Sequence, residues 1–139
     1  MKRPYLTASP EERMAAEIAD LKARLAALES RQTRLRTTAW VAPTLLNGWS
    51  NLGGLTAPAG YRIVGGVVWL RGVVTGGTTT VGTTIFTLPA GFRASHRLIF
   101  PVVSNNAFGR ASVDPDGTVQ FFIGSNVWFS LDGIAFVPA

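Results

Sequence analysis

Arg24-Leu25-Ala26-Ala27-Leu28-Glu29 lies inside a heptad pattern that runs directly into a Gly- and Trp-rich sequence of a different kind. Apolar residues fall at Met14, Ile18, Leu21, Leu25, Leu28 and Leu35, with Gln32 in the remaining slot. The steps alternate between four and three, the a/d seam of a coiled coil. A seam of this kind sets copy number, so whatever follows it is expected to work as an oligomer. The plan is a stalk carrying a head, which suits adhesion or structure better than catalysis.

Working upstream, Ser9-Pro10-Glu11-Glu12 is a helix start. Ser9 can cap, Pro10 suits the first helical position, and Glu12 stands where a capping box places its acid. No Gly or Pro interrupts the sequence from there to Pro43. A helix over 10–36 would extend ~40 Å at 1.5 Å per residue. With Ile18 and Leu25 at a, Leu21 and Leu28 fall at d. Positions g are then Glu17, Arg24 and Arg31, and positions e are Lys22, Glu29 and Arg36. In a parallel in-register bundle Glu17 meets Lys22 and Arg24 meets Glu29, while Arg31 and Arg36 repel.

Downstream, composition changes near Thr37–Thr38. Residues 1–36 hold eight Lys/Arg and five Asp/Glu, whereas 37–139 hold five Arg, three Asp and all fifteen glycines. The expected organisation is an N-terminal peptide at 1–8, a coiled-coil stalk at 9–36 and a head at 37–139. In the head, turn punctuation recurs at Asn47-Gly48, Gly53-Gly54, Pro58-Ala59-Gly60, Gly65-Gly66, Gly76-Gly77, Pro89-Ala90-Gly91, Asp116-Gly117 and Asp132-Gly133. The runs between predict strands near 61–65, 67–75, 83–88, 98–104, 108–113, 118–123, 126–131 and 133–137. The fold class is mainly β, with an antiparallel β-sandwich, jelly-roll-like head. Several strands are apolar on both faces: Val67, Trp69 and Val73 alternate with Val68, Leu70 and Val74. That predicts one face buried against sister subunits in an intertwined trimer.

Composition excludes several chemistries. There is no Cys, hence no disulfide, thiolate metal site or Cys nucleophile. The net charge is +5; Arg31, Arg34 and Arg36 cluster at the end of the helix, where the helix dipole favours cations, and the head shows no basic stripe interleaved with aromatics, so nucleic acid is not an expected partner. Met1-Lys2-Arg3 is followed by no apolar core of a signal peptide, and Ile63 to Val74 is broken by three glycines and Arg71. A protein made in a host cytoplasm, without secretion signal or membrane insertion, is expected.

No cofactor, metal or catalytic site is expected either. His96 between Ser95 and Arg97 lacks a nucleophile elbow around it. Asp114-Pro115-Asp116-Gly117 has turn composition, without the further oxygen ligands of a Ca²⁺ loop. The aromatics carry more promise. Trp49 stands between Asn47 and Asn51, and Trp128 follows Asn126. Tryptophan faces stack on pyranose rings while amides grip hydroxyls, so Asn47, Trp49, Asn51, Asn126 and Trp128 are the candidate glycan-binding residues. Packing in the core or between subunits is the competing use of each Trp.

Two resemblances add to this. Arg24-Leu25-x-x-Leu28-Glu29 resembles the trimer-specifying motif of short parallel coiled coils, in which Arg covers the seam and pairs with Glu on the next chain. It implies Ile18, Leu21, Arg24, Leu25, Leu28 and Glu29 as trimerisation residues. The head, through Leu45-Leu46-Asn47-Gly48-Trp49, Tyr61-Arg62-Ile63-Val64-Gly65, Val68-Trp69-Leu70-Arg71-Gly72, Thr87-Leu88-Pro89-Ala90-Gly91-Phe92-Arg93, Asp116-Gly117 and Leu131-Asp132-Gly133-Ile134-Ala135-Phe136, resembles the C-terminal domain of tailed-bacteriophage tail-fibre, minor tail and receptor-binding proteins, particularly of phages infecting actinobacteria. That resemblance implies a non-enzymatic homotrimeric adhesin on the virion, contacting a bacterial surface polysaccharide. Residues 1–8 are short for a docking domain, so attachment to other tail or baseplate proteins would fall to the stalk. The alternative is a structural virion decoration, a baseplate or capsid knob with no receptor-binding role.

Overall fold

The computed structural model describes residues 8–34 and 36–139. The chain divides between Leu35 and Arg36 into two compact units. The expected peptide at 1–8 lies, except for Ala8, outside the described residues, as does the seam position Leu35.

The first unit is helix α1, Pro10–Arg34. Its start is the reciprocal box read from sequence: the Glu12 amide donates to Ser9 Oγ at 3.1 Å and the Ser9 amide donates to Glu12 Oε2 at 3.4 Å. Every described side chain from Pro10 to Gln32 is exposed, including the seam residues Met14, Ile18, Leu21, Leu25 and Leu28 at 49–62%. Arg24 pairs with Asp20 one turn back, at 3.1 Å. Arg36, read as the last e position, belongs to the second unit, where its guanidinium stands 5.0 Å over the Phe92 ring.

The second unit has ten strands: β1 Ser50–Asn51, β2 Gly60–Val64, β3 Val67–Arg71, β4 Val73–Thr75, β5 Thr83–Thr87, β6 Leu98–Ser104, β7 Ala107–Val113, β8 Thr118–Ile123, β9 Phe129–Ser130 and β10 Ala135–Phe136. They form a seven-stranded sheet, β1-β4-β9-β6-β7-β8-β5, and a three-stranded sheet, β10-β3-β2, with antiparallel pairing throughout. Two hairpins turn on two residues with positive φ, Gly65-Gly66 between β2 and β3 and Asn105-Asn106 between β6 and β7, the geometry that matches strand twist.

The run 67–75 is two strands in two different sheets. At Gly72, with φ +110°, the chain leaves the small sheet for the large one, and a Cβ there would fall 2.5 Å from the Ala59 backbone. Beside it the chain from β9 to β10 makes the reverse crossing, tied to the same glycine: the Gly72 amide donates to Asp132 Oδ1 at 2.7 Å and the Leu131 amide donates to the Gly72 carbonyl at 2.8 Å. These shared corners make the head a curled half-barrel of two continuous sheets, where sequence suggested a jelly-roll-like sandwich.

One core fills the space between the sheets. Tyr61, Ile63, Val68 and Leu70 of the small sheet meet Val74, Ile85, Phe86, Val113, Val119, Phe121 and Phe129 of the large one. Ahead of β1, Val41 bridges Tyr61, and the Thr38 amide donates to the Ile63 carbonyl, so the segment entering the head lies along β2.

Candidate functional site

The five glycan candidates do not form one surface. Trp49 is 4% exposed and belongs to the core. Its ring centroid lies 5.6 Å from Phe121 and 6.0 Å from Phe129. A Cβ on Gly77 would collide with the indole at about 2.0 Å, so this glycine opens the slot that the ring fills. The expectation of an exposed stacking platform at Trp49 is therefore corrected: its area goes to burial, not to a ligand.

The three amides are committed to backbone. Asn47, at φ 55°, donates from Nδ2 to the Thr84 carbonyl at 2.8 Å. Asn51 Oδ1 accepts the Ala59 amide at 2.8 Å, and Asn126 Nδ2 donates to the Gly77 carbonyl at 3.0 Å. These bonds fix loops, and each leaves part of its amide unused.

Trp128 is placed differently. Phe129 points into the core, so its neighbours Trp128 and Ser130 face outward across the large sheet. There, Trp128 lines a groove of ≈ 480 Å³ with Leu52, Thr56, Val73, Val103, Ser130 and Asp132. An adjoining hollow of ≈ 590 Å³ shares Val103, Ser130 and Asp132 and adds Asn106 and Phe108. The groove thus offers an indole, two hydroxyls and a carboxylate on an apolar floor, with an amide in the adjoining hollow, a set suited to a polyhydroxylated ring. Asp132 uses one oxygen on the Gly72 amide, which holds the carboxylate in place at the groove's end. Sequence reading missed Thr56, Ser130 and Asp132. The last two were within reach, since residues 128, 130 and 132 share a face at strand period.

The acids and histidine elsewhere form no catalytic set. Ser95 Oγ lies 3.0 Å from His96 Nδ1, and no carboxylate bonds that ring among the described residues. Asp114 takes a two-pronged bond from Arg97 at 2.6 and 2.8 Å and a third from Gln120 at 3.1 Å. The Arg97 bonds hold its carboxyl below the usual range, with burial opposing. Asp116 is likewise held low, first by the Thr118 amide and then by its hydroxyl. Among the described residues no group of three His, Asp or Glu could hold a metal, and no helix is long and apolar enough to cross a membrane.

What the fold defines is a helix followed by a curled antiparallel β-head with a groove on the outer face of its large sheet. Among solved structures, the chain is similar to the crystal structure of the receptor binding protein gp15 of Listeria phage PSA, with a TM-score of 0.61 and 20% identity, over 96% of this chain and 82% of that one. At that identity the likeness is one of fold. The neighbour comes from a Listeria phage, so it lends nothing to the actinobacterial part of the resemblance. The sequence matches no protein-family model and no curated protein.

Proposed function

We propose that this chain is a bacteriophage receptor-binding protein, a homotrimeric non-enzymatic adhesin whose head contacts a glycan of the host cell surface. The observation that carries the reading is the fold likeness to a phage receptor-binding protein across 96% of the chain. Helix α1 supports the trimer. A 25-residue helix whose described side chains are exposed from Pro10 to Gln32 gains stability by burying its apolar stripe in an association. Its seam of Ile18, Leu21, Leu25 and Leu28, flanked by Arg24 and Glu29, suits two further copies of the same helix better than a foreign surface. In that assembly Arg24 exchanges Asp20 for Glu29 of a neighbouring copy. The virion is the place of action, with the helical end toward other tail or baseplate proteins.

The glycan contact is assigned to the Trp128 groove. One shallow saccharide site is weak, because it competes with water for every hydroxyl. Three sites per trimer and several trimers per particle raise avidity by a factor on the order of 10²–10⁴. The test is adhesion of clustered protein to host cells, with Trp128→Ala as the variant and circular dichroism as folding control. Loss of adhesion is expected, together with competition by soluble sugar. Adhesion equal to the parent's would remove the groove from the account, and a parent that binds no host surface or glycan would leave the structural-decoration reading in its place.

A further inference from the structure

The outward face of the small sheet, the face that the two-sided apolar strands led one to expect against sister subunits, leaves Trp69 41% exposed and carries a cluster that neither the core nor the Trp128 groove uses. Along β3, Val68 and Leu70 point into the core, which turns Trp69 and Arg71 to the outside. Along β2, Arg62 lies outward between the inward Tyr61 and Ile63. Register sets Arg62 opposite Trp69, and Trp69 opposite Ala135 of β10. From the segment preceding β1, Trp40 lies against both cations, its ring 4.5 Å from the Arg62 guanidinium and 4.2 Å from that of Arg71. Gly60, opposite Arg71, lies directly beneath the cluster: a Cβ there would stand in contact, at 3.4 Å, with both Trp40 Cε3 and Arg71 Nε.

These two guanidiniums share one ring and have no acid. Neither makes a salt bridge or a hydrogen bond among the described residues, and the Nε of each is buried without a partner. The head's carboxylates are engaged elsewhere, Asp114 with Arg97, Asp116 with Thr118 and Asp132 with Gly72. A contrast within the same head is informative. Phe122 also carries two arginines, Arg97 at 5.5 Å and Arg110 at 4.3 Å, but there Asp114 closes the Arg97 fork. Contact with the Trp40 ring holds both guanidiniums at one side chain and leaves their charge without an acid partner among the described residues, an arrangement open to a planar or tetrahedral anion. Beside them Trp69, 41% exposed, offers a ring face next to the charge.

We propose that Trp40, Arg62, Trp69 and Arg71 form a binding site for an anionic saccharide, with Arg62 and Arg71 holding its carboxylate or phosphate group and Trp69 stacking on the sugar ring it belongs to. The site is separate from the Trp128 groove. It rests on the reading of the head as a glycan binder only for the natural source of the ligand, and its chemistry is tested without cells.

The experiment is calorimetric titration of the full chain at low ionic strength with three oligomers of equal length: an oligogalacturonate, a glycerol-phosphate oligomer and a neutral maltooligosaccharide. Binding of at least one anionic oligomer is expected, none of the neutral one, and affinity should fall as salt rises. Binding of the uronate alone assigns the site to carboxylates, and binding of the phosphate oligomer alone assigns it to phosphates. Arg71→Gln should weaken that binding by about tenfold or more, since it removes a charged fork. Trp69→Ala should weaken it too, and this exposed position also decides the matter if Arg71→Gln fails to fold. Arg13→Gln, a charge-matched change on the exposed helix, should leave it unaltered. Failure of both anions to exceed the neutral control, retention of binding in Trp69→Ala, or an equal loss in Arg13→Gln would overturn the proposal. Cell adhesion in the Trp128 variant reads the other site, so the two can fail independently.

Discussion

Helix α1 and the β-head represent opposite balances of charge and burial. Between Pro10 and Gln32 every described side chain is exposed, the seam leucines included. The head sets two sheets around a single aromatic and aliphatic core and commits its few carboxylates to specific partners. The head can therefore account for its own folding by hydrophobic burial, whereas the exposed seam of the helix is what the proposed trimer would bury.

That contrast predicts its largest effect at Leu25. On an isolated helix an exposed Leu25→Asp would cost only about 0.5 kcal/mol of propensity. In a three-stranded seam it would place three carboxylates in one layer, each costing several kcal/mol unless protonated or paired. Circular dichroism should show the helical signal lost or greatly reduced while the β-signal of the head persists. Helicity equal to the parent's would break the contrast.

The next effect sharpens the head's side of it. Trp49→Ala should destabilise the head by about 3–5 kcal/mol, the range for emptying a large aromatic site in a packed core. Chemical denaturation followed by the head's β-signal measures this. A loss below about 1 kcal/mol would mean that the indole is not the packing element its contacts with Phe121 and Phe129 indicate.

The smallest effect concerns pH. Asp114 has a folded pKa held below its unfolded value by Arg97. Its stabilising contribution is present above the unfolded carboxylate's value of about 3.9 and is lost as pH falls through the depressed folded value. The pair is partly solvated, so the effect is modest. Asp114→Asn should lower the melting temperature at neutral pH, and the difference from the parent should shrink as pH falls below about 4. A difference that grows on acidification would contradict the assignment.

Much of this was legible in the sequence because local rules governed it. Ser9 and Glu12 needed only each other, and the helix needed only an unbroken run without Gly or Pro. The long strands β6, β7 and β8 fell between turn signals that the chain obeys. What escaped were features set by residues distant in sequence. Gly72 inside an apolar run looks like a tolerated interruption, and only the nearby Ala59 backbone makes it a corner. Trp49 between two asparagines reads as surface, but Gly77 opens a slot for its ring and Asn51 turns to the Ala59 amide. Trp40 sits before any strand signal, so its stacking on Arg62 and Arg71 emerges only when β2 and β3 are paired. Trp128 was legible as an outward residue, but its companions Ser130 and Asp132 were missed, although they follow it at strand period.

The central claim is that the exposed seam of α1 joins three copies of this chain. Light scattering coupled to size exclusion, at micromolar concentration and moderate salt, tests it most directly. The account requires a single species of about 44 kDa, three times the 14.8 kDa of one chain. A stable monomer or dimer would contradict it, and the seam of Ile18, Leu21, Leu25 and Leu28 would then belong to a different partner.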